Sequence, residues 1–139
     1  MIKKIKVFID ANIPMYAAGQ EHPNKVPSIK ILESVSEGKI IGVTSTEVLQ
    51  EILYRYWAIN LLKKGLKVFN DFLQIVDDAL PINFQIMCET RDILEKNDHQ
   101  NIFPRDAIHA ATMNYYGINC IATYDEHFRI FKHIKYISL

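Results

Sequence analysis

The sequence predicts an α/β protein in which parallel strands alternate with helices that cover one sheet. Three observations lead to this prediction. Short β-branched runs recur along the 139-residue chain, stretches with apolar residues at helical spacing separate them, and most Pro and Gly residues fall at the boundaries. Alternating strands and helices favour a parallel sheet with right-handed crossovers, because each connection must cross back over a face of the sheet.

The opening of the chain predicts a strand followed by a helix. Residues 5–9 are a β-branched and aromatic run that stops at Asp10. Asn12 is a favourable helix N-cap, and Pro14 is tolerated in a first helical turn. A helix is therefore expected to begin directly after the first strand.

The rest of the chain continues the alternation. Hydroxyl residues 44–46 can cap a long helix to about Leu62, and Gly65 separates it from the next helix, so the two are expected to form a hairpin. The elements expected after residue 27 are a helix over 28–38, a strand over 39–43, the helix capped by 44–46, a helix over 66–76, a helix introduced by Pro81 and Asn83 that runs to about 96, a helix over 104–116, a strand over 119–123, a helical turn over 126–131 and a strand near 134–137.

Composition narrows the class of function. The chain has 16 Lys and Arg against 16 Asp and Glu, and a net charge of zero argues against nonspecific coating of nucleic acid by a positive surface. The longest stretch without these residues, 107–124, contains His, Thr and Asn, so no membrane span is expected. Cys88 and Cys120 are interpreted as free thiols, and without a signal peptide the cytoplasm is the expected compartment. With no repeat or linker, residues 1–139 are expected to form one domain.

Four carboxylates are expected to meet at the carboxyl edge of the sheet, where open parallel sheets bind ligands. Asp10 directly follows the first strand, and Asp125 lies two residues past the strand that ends near Thr123. Asp106 lies in the first turn of a helix that leads into a strand. Because such helices run antiparallel to the strands, the N-terminus of this helix points to the same edge. Glu51 lies about five residues into the helix that follows the second strand, roughly 8 Å below the rim.

These acids predict a divalent cation. Gathered carboxylates repel one another, and without a counter-charge their pKa values would rise. An all-oxygen ligand set favours Mg²⁺ or Mn²⁺ over zinc, which prefers His and Cys. Such ions activate water and stabilise charge on a phosphoryl group during in-line displacement. The chemistry suggested is hydrolysis of a phosphodiester bond.

Each acid also has an ordinary structural interpretation. Asp10 could cap a helix, and Asp106 could be a first-turn carboxylate that the helix dipole favours. Glu51 could pair on the surface with Arg55 at i+4, and Asp125 could be a turn residue. The convergence of four acids from separate segments favours the site.

Other polar residues compete for the site or support it. Glu47 lies one turn before Glu51 on the same face of the helix and could be the ligand instead. Asn12 and Thr123 could orient ligands or substrate through hydrogen bonds, although capping and turn roles are open to them as well.

Two histidines suggest another kind of site. His109 lies three residues after Asp106 and, with His127, could form a transition-metal site. The spacing His-Glu-x-x-His is missing, however, and a histidine on a helix is more often simply hydrogen-bonded. The sequence also lacks the G-x-S-x-G and G-x-x-x-x-G-K patterns, which argues against serine hydrolases and nucleotide triphosphatases.

The segments around the four acids resemble those of PIN-domain nucleases, particularly the small VapC-like toxins of toxin–antitoxin pairs, over nearly the whole chain. Residues 7–12 (VFIDAN) resemble the opening strand with its first catalytic Asp. Residues 44–53 (TSTEVLQEIL) resemble the second motif, in which a Glu follows a Ser by six residues, and this alignment selects Glu51. Residues 105–112 (RDAIHAAT) and 122–128 (ATYDEHF) are similar to the third and fourth motifs.

The resemblance implies a three-layer α/β/α fold with a parallel sheet of about five strands. It implies an endoribonuclease that hydrolyses RNA with Mg²⁺ or Mn²⁺, a cognate antitoxin protein and often a homodimer. The implied catalytic and metal-binding residues are Asp10, Glu51, Asp106 and Asp125. His127 stands where some members carry another acid, which leaves open whether a second ion is bound.

Two alternatives remain open from the sequence. One is a nuclease of RNA maturation with the same chemistry. The other is a noncatalytic module that binds RNA or protein through its surface. Tyr54 and Trp57, on the second-motif helix, are candidates for dimer or antitoxin contacts, because the aromatic residues of this helix spread too widely for all of them to face the sheet.

Overall fold

A computed structural model describes residues 3–138, so Met1, Ile2 and Leu139, at the ends of the expected domain, lie outside the described residues. The fold is a five-stranded parallel sheet flanked by helices, as expected for the three-layer α/β/α class. The strands are β1 (Lys6–Ile9), β2 (Ile41–Ser45), β3 (Asp78–Leu80), β4 (Cys120–Ala122) and β5 (Lys135–Tyr136). The helices are α1 (Asn12–Ala17), α2 (Lys25–Ser36), α3 (Thr46–Ala58), α4 (Leu62–Ile75), α5 (Phe84–Lys96) and α6 (Pro104–Tyr116), with short 3₁₀ turns at Asp98–Gln100 and Glu126–Ile130.

The strand order determines where a ligand can bind. The sheet runs β3-β2-β1-β4-β5, with Phe8 of β1 in register with Val43 of β2 on one side and Ile121 of β4 on the other. The chain moves outward from β1 to β2 and β3, then returns across the sheet to β4 on the opposite side of β1. This reversal leaves a crevice beyond the carboxyl ends of β1 and β4, which is where open α/β sheets bind ligands.

The core explains why the first strand is apolar throughout. Val7, Phe8 and Ile9 have no exposed surface, because β1 lies in the middle of the sheet with both faces covered. In β2, Gly42 lies against α2 so closely that an added Cβ would come within 2.5 Å of a Val35 methyl carbon. The contact between helix and sheet at this point therefore requires glycine.

Two helix starts follow the expected capping chemistry. Ser45 Oγ accepts a hydrogen bond from the backbone N–H of Val48 at 3.2 Å and caps α3. Asn83 Oδ1 accepts one from the backbone N–H of Ile86 at 2.9 Å and caps α5. These side chains satisfy backbone donors that the first turn leaves without partners.

The start of α1 and the number of strands differ from expectation. The prediction that Asn12 caps α1 is wrong: Ala11 takes the cap position, and the Asn12 side chain bonds to Thr123 instead. The three-residue strand β3 was not expected from the sequence, and β2 begins two residues later than expected. Strands this short carry too few residues to show a clear alternation.

The prediction that Gly65 separates two helices is wrong as well. The helix α4 begins at Leu62, and Gly65 lies within its first turns. An added Cβ at Gly65 would lie 2.6 Å from Tyr56 Cβ, so glycine permits the close packing of α4 on α3. Between residues 3 and 138, none of the helices is both long enough and apolar enough to cross a membrane.

We predict that Gly42→Ala lowers the free energy of unfolding by about 1–3 kcal/mol, because the new methyl group overpacks the contact between α2 and β2. Urea unfolding followed by circular dichroism measures the change. Lys39→Ala, at an exposed site just before β2, is the control and is expected to change stability by less than about 0.5 kcal/mol. Equal stability of Gly42→Ala and the wild type would show that the contact can relax.

Candidate active site

The structure brings the four predicted acids into one cleft at the carboxyl edge of the sheet. Asp10 follows β1, Asp125 lies three residues past β4, Asp106 lies in the first turn of α6, and Glu51 lies in the second turn of α3. The cleft has a volume of about 40 Å³, and its other lining residues are Asn12, Arg55, Arg105 and His109. Four segments separated in sequence therefore contribute to one small polar cavity.

In the cleft and beside it the possible ligand atoms form two groups, each with two carboxylates and one histidine. In both groups the oxygen and nitrogen atoms lie within 4.8 Å of one another. The groups are Asp10 with Glu51 and His109, and Asp106 with Asp125 and His127. Either spacing suits atoms that share a single cation or a bridging water.

Thr123 joins the ends of β1 and β4. Its hydroxyl donates a hydrogen bond to Asp10 Oδ2 at 2.8 Å and accepts bonds from Asn12 Nδ2 and the Asp125 backbone N–H, both at 3.1 Å. A hydroxyl has one hydrogen to donate and two lone pairs that accept, so these three bonds use the full hydrogen-bonding capacity of Thr123. The Ala11 backbone N–H donates to the other Asp10 oxygen at 2.8 Å. The Asp10 carboxylate is therefore fixed in position without any ion.

The electrostatics disfavour charge on two of the acids. Burial raises the pKa of Asp10 by more than nearby His109 lowers it, and Glu51 adds a smaller increase. Burial likewise raises the pKa of Asp106, and the neighbouring Asp125 carboxylate adds to the effect against the opposing influence of His127. A cation in the cleft would offset both effects.

Glu51 behaves differently from the other acids. Burial alone would raise its pKa, but the nearby His109 imidazole and the two arginine side chains outweigh burial and lower it. Arg55 Nη1 lies 3.5 Å from Glu51 Oε2, so the expected i+4 ion pair forms while Glu51 still lines the cleft. Glu47, the alternative to Glu51, is not among the residues that line it.

The hydrogen bonding of His109 differs from the expectation for a histidine on a helix. Its side chain is 2% exposed, and its Nε2 lies 3.8 Å from both Asp10 Oδ1 and Glu51 Oε1, beyond hydrogen-bonding distance. Among the described residues, neither ring nitrogen has a hydrogen-bond partner, contrary to the expectation for a helix histidine. A buried nitrogen without a hydrogen-bond partner costs free energy of desolvation. A ligand or water between Nε2 and the two carboxylates would remove this cost.

His127 occupies the second group of acids. Its Nδ1 lies 3.2 Å from Asp106 Oδ2 and 3.1 Å from Asp125 Oδ1, and its backbone N–H donates to Asp125 Oδ1 at 2.8 Å. Half of its side chain is exposed. The imidazole therefore bridges two carboxylates at the solvent side of the cleft.

Comparison with known proteins identifies the family and supports the fold. The PIN domain model matches residues 7–134. The VapC ribonuclease Mb1869c of Mycobacterium bovis and Ribonuclease VapC13 of Mycobacterium tuberculosis are each 36% identical over 132 residues, which is 95% of this chain and 99% of each relative. The solved structure of VapBC2 from Rickettsia felis, bound to a promoter DNA fragment, superposes with a TM-score of 0.75 at 15% identity and covers 96% of this chain and 98% of its own.

We predict that Thr123→Val lowers the free energy of unfolding by about 1–3 kcal/mol. The isosteric valine leaves two partly buried N–H donors without an acceptor and Asp10 Oδ2 without its donor. Thr123→Ser keeps the hydroxyl and is expected to retain most of the stability. Urea unfolding of the three proteins measures the difference, and a valine variant as stable as the serine variant would contradict the role of the hydroxyl.

Proposed function

Because the chain belongs to the PIN-domain family, we propose that it is a metal-dependent endoribonuclease that hydrolyses phosphodiester bonds in RNA. One observation carries the proposal. Four carboxylates from four separate segments line one cleft at the point where the strand order reverses. We assign the catalytic and metal-binding roles to Asp10, Glu51, Asp106 and Asp125.

The residues in the cleft fit a divalent cation. The donors are mainly carboxylate oxygens, which favours Mg²⁺ or Mn²⁺. Burial raises the pKa values of Asp10 and Asp106, and a bound cation would favour the ionised forms of both side chains. The unpartnered Nε2 of His109 points at two of these acids, which adds a nitrogen to the possible ligands. When bound, a divalent cation supplies an activated water and stabilises charge on the phosphoryl group.

The chain's own residues prepare the site for this reaction. Thr123 and the Ala11 backbone N–H hold the Asp10 carboxylate in place, so little reorganisation is needed when substrate binds. Glu51, whose pKa is lowered, remains ionised at neutral pH. Arg55 and Arg105 line the same cleft and can bind phosphate groups of the RNA at the cleavage site.

The relatives suggest a biological role. Two are named VapC ribonucleases, and a structure with the same fold is a VapBC complex. We assign this chain the role of the toxin of a toxin–antitoxin pair, inhibited by a cognate antitoxin protein. In this assignment residues 1–139 act as one domain in the cytoplasm, as a homodimer.

We predict that Asp10→Asn and Asp106→Asn each lower the rate of RNA cleavage at least about 100-fold. The neutral amide keeps the shape of the side chain but loses the charge that holds the cation and offsets the transition state. Cleavage of a fluorescently labelled RNA with Mg²⁺ or Mn²⁺ measures the rate, and circular dichroism checks the fold. A chelator is expected to stop the wild type.

Asp71→Asn is the matched control, because Asp71 is an exposed acid on α4 outside the cleft and its change should leave the rate unaltered. Near-normal cleavage by folded Asp10→Asn and Asp106→Asn proteins would remove the assignment of these residues. The absence of metal-dependent cleavage by the wild type across varied RNAs would favour a noncatalytic binding module.

We predict that Glu51→Gln weakens Mn²⁺ binding about 10-fold or more, whereas Glu47→Gln leaves it unchanged. The two glutamates lie one helical turn apart, but only Glu51 lines the cleft. Changes around metal ligands commonly cost 10–100-fold in affinity, and loss of a charged ligand is expected to cost at least as much. Calorimetric titration with Mn²⁺ measures the affinity without RNA, and equal effects of the two variants would contradict the choice of Glu51.

A further inference from the structure

We propose that a tyrosine-lined pocket beside the acidic cleft binds the base of an unpaired nucleotide next to the phosphodiester that is cut. This proposal rests on the proposed function and adds a recognition site to it. The pocket has a volume of about 460 Å³, and three tyrosines contribute to its walls, namely Tyr16, Tyr56 and Tyr124. This volume lies within the range of small-molecule sites in proteins.

The pocket is continuous with the cleft. Asn12, Arg55 and Asp125 line both cavities. A phosphodiester held at the acids carries a nucleoside on each side, so one of the two nucleosides lies next to this pocket. Arg55 stands between the two cavities and can bind the phosphate that connects them.

The aromatic walls are held in place by other contacts. The Tyr124 hydroxyl forms hydrogen bonds with Ser28 Oγ at 2.9 Å and with the Asn24 carbonyl oxygen at 3.0 Å. The Tyr16 ring packs edge to face against Tyr124 with ring centroids 5.2 Å apart, and it lies 4.6 Å from the His22 ring. Rings that are already fixed lose little conformational freedom on binding, which favours stacking of a flat ligand.

The charge of the chain favours a base as the ligand. With a net charge of zero, the protein lacks the large positive field that usually supplies affinity for RNA. Stacking of a base on an aromatic side chain is worth about 1–3 kcal/mol and does not depend on net charge. Bases in a helix are already stacked on one another, so the pocket selects an unpaired nucleotide.

The test uses a short single-stranded RNA that the wild type cuts at one site, and versions in which each nucleotide flanking that site is abasic. We expect an abasic residue at one flanking position to lower kcat/KM of the wild type roughly 5- to 100-fold. Tyr16→Ala is expected to lower kcat/KM for intact RNA by a similar factor and to cut intact and abasic RNA equally. Tyr16→Phe, which keeps the ring, is expected to behave as the wild type.

The matched control is Tyr115→Ala, since Tyr115 is partly exposed at the opposite end of α6 from Asp106 and lies outside the pocket. The Tyr115→Ala variant is expected to lose as much kcat/KM on abasic RNA as the wild type does. Circular dichroism and urea unfolding check that the Tyr16 variants are folded.

Three results would overturn the proposal. Two of them concern the pocket alone, and the third also overturns the proposed function. A wild type that cuts intact RNA but tolerates an abasic residue at every flanking position removes the base-binding pocket alone, as does a Tyr16→Ala variant that keeps the full abasic effect. That pattern would fit a pocket that takes a side chain of a partner protein. A wild type that cuts no RNA with any divalent cation removes the proposed function together with the pocket.

Discussion

The repulsion among four carboxylates in one small cleft is the constraint on which the site depends. Two of the acids follow strands and the other two lie in the first or second turn of a helix, and the strand order of the sheet brings these segments to one edge. Folding buries these charges and places them together at an electrostatic cost. Burial, with a smaller contribution from the neighbouring carboxylates, raises the pKa values of Asp10 and Asp106. A site that stores uncompensated negative charge is well suited to bind a small divalent cation.

The protein limits this cost with contacts of its own. Thr123 and the Ala11 backbone N–H hydrogen-bond both oxygens of Asp10, while Arg55 pairs with Glu51. Each pair of acids also has a histidine beside it, one fully buried on α6 and one at the solvent side. The two groups of ligand atoms therefore differ in burial, which gives a cation unequal access to them.

The proposed reaction site and the proposed base-binding pocket are neighbouring cavities in this fold. The acidic cleft is small and polar, whereas the adjoining pocket is about ten times larger and lined by tyrosines. Because the chain has no net charge, it lacks the large positive field that usually supplies affinity for RNA. A division in which acids serve the reaction and aromatic rings bind the substrate is consistent with both the charge and the geometry.

The sequence by itself determined the α/β class, a helix cap among residues 44–46 and the candidate acids, because periodicity, capping residues and residues after strands are local properties of the chain. The resemblance to PIN-domain nucleases also selected Glu51, because it aligns Ser45 and Glu51 with the second motif of the family. Tertiary structure alone decided the partner of Asn12, the close packing at Gly65 and the unpartnered state of His109. Those features depend on which distant segments lie beside each residue, and no local pattern records the distance from His109 to Asp10 and Glu51.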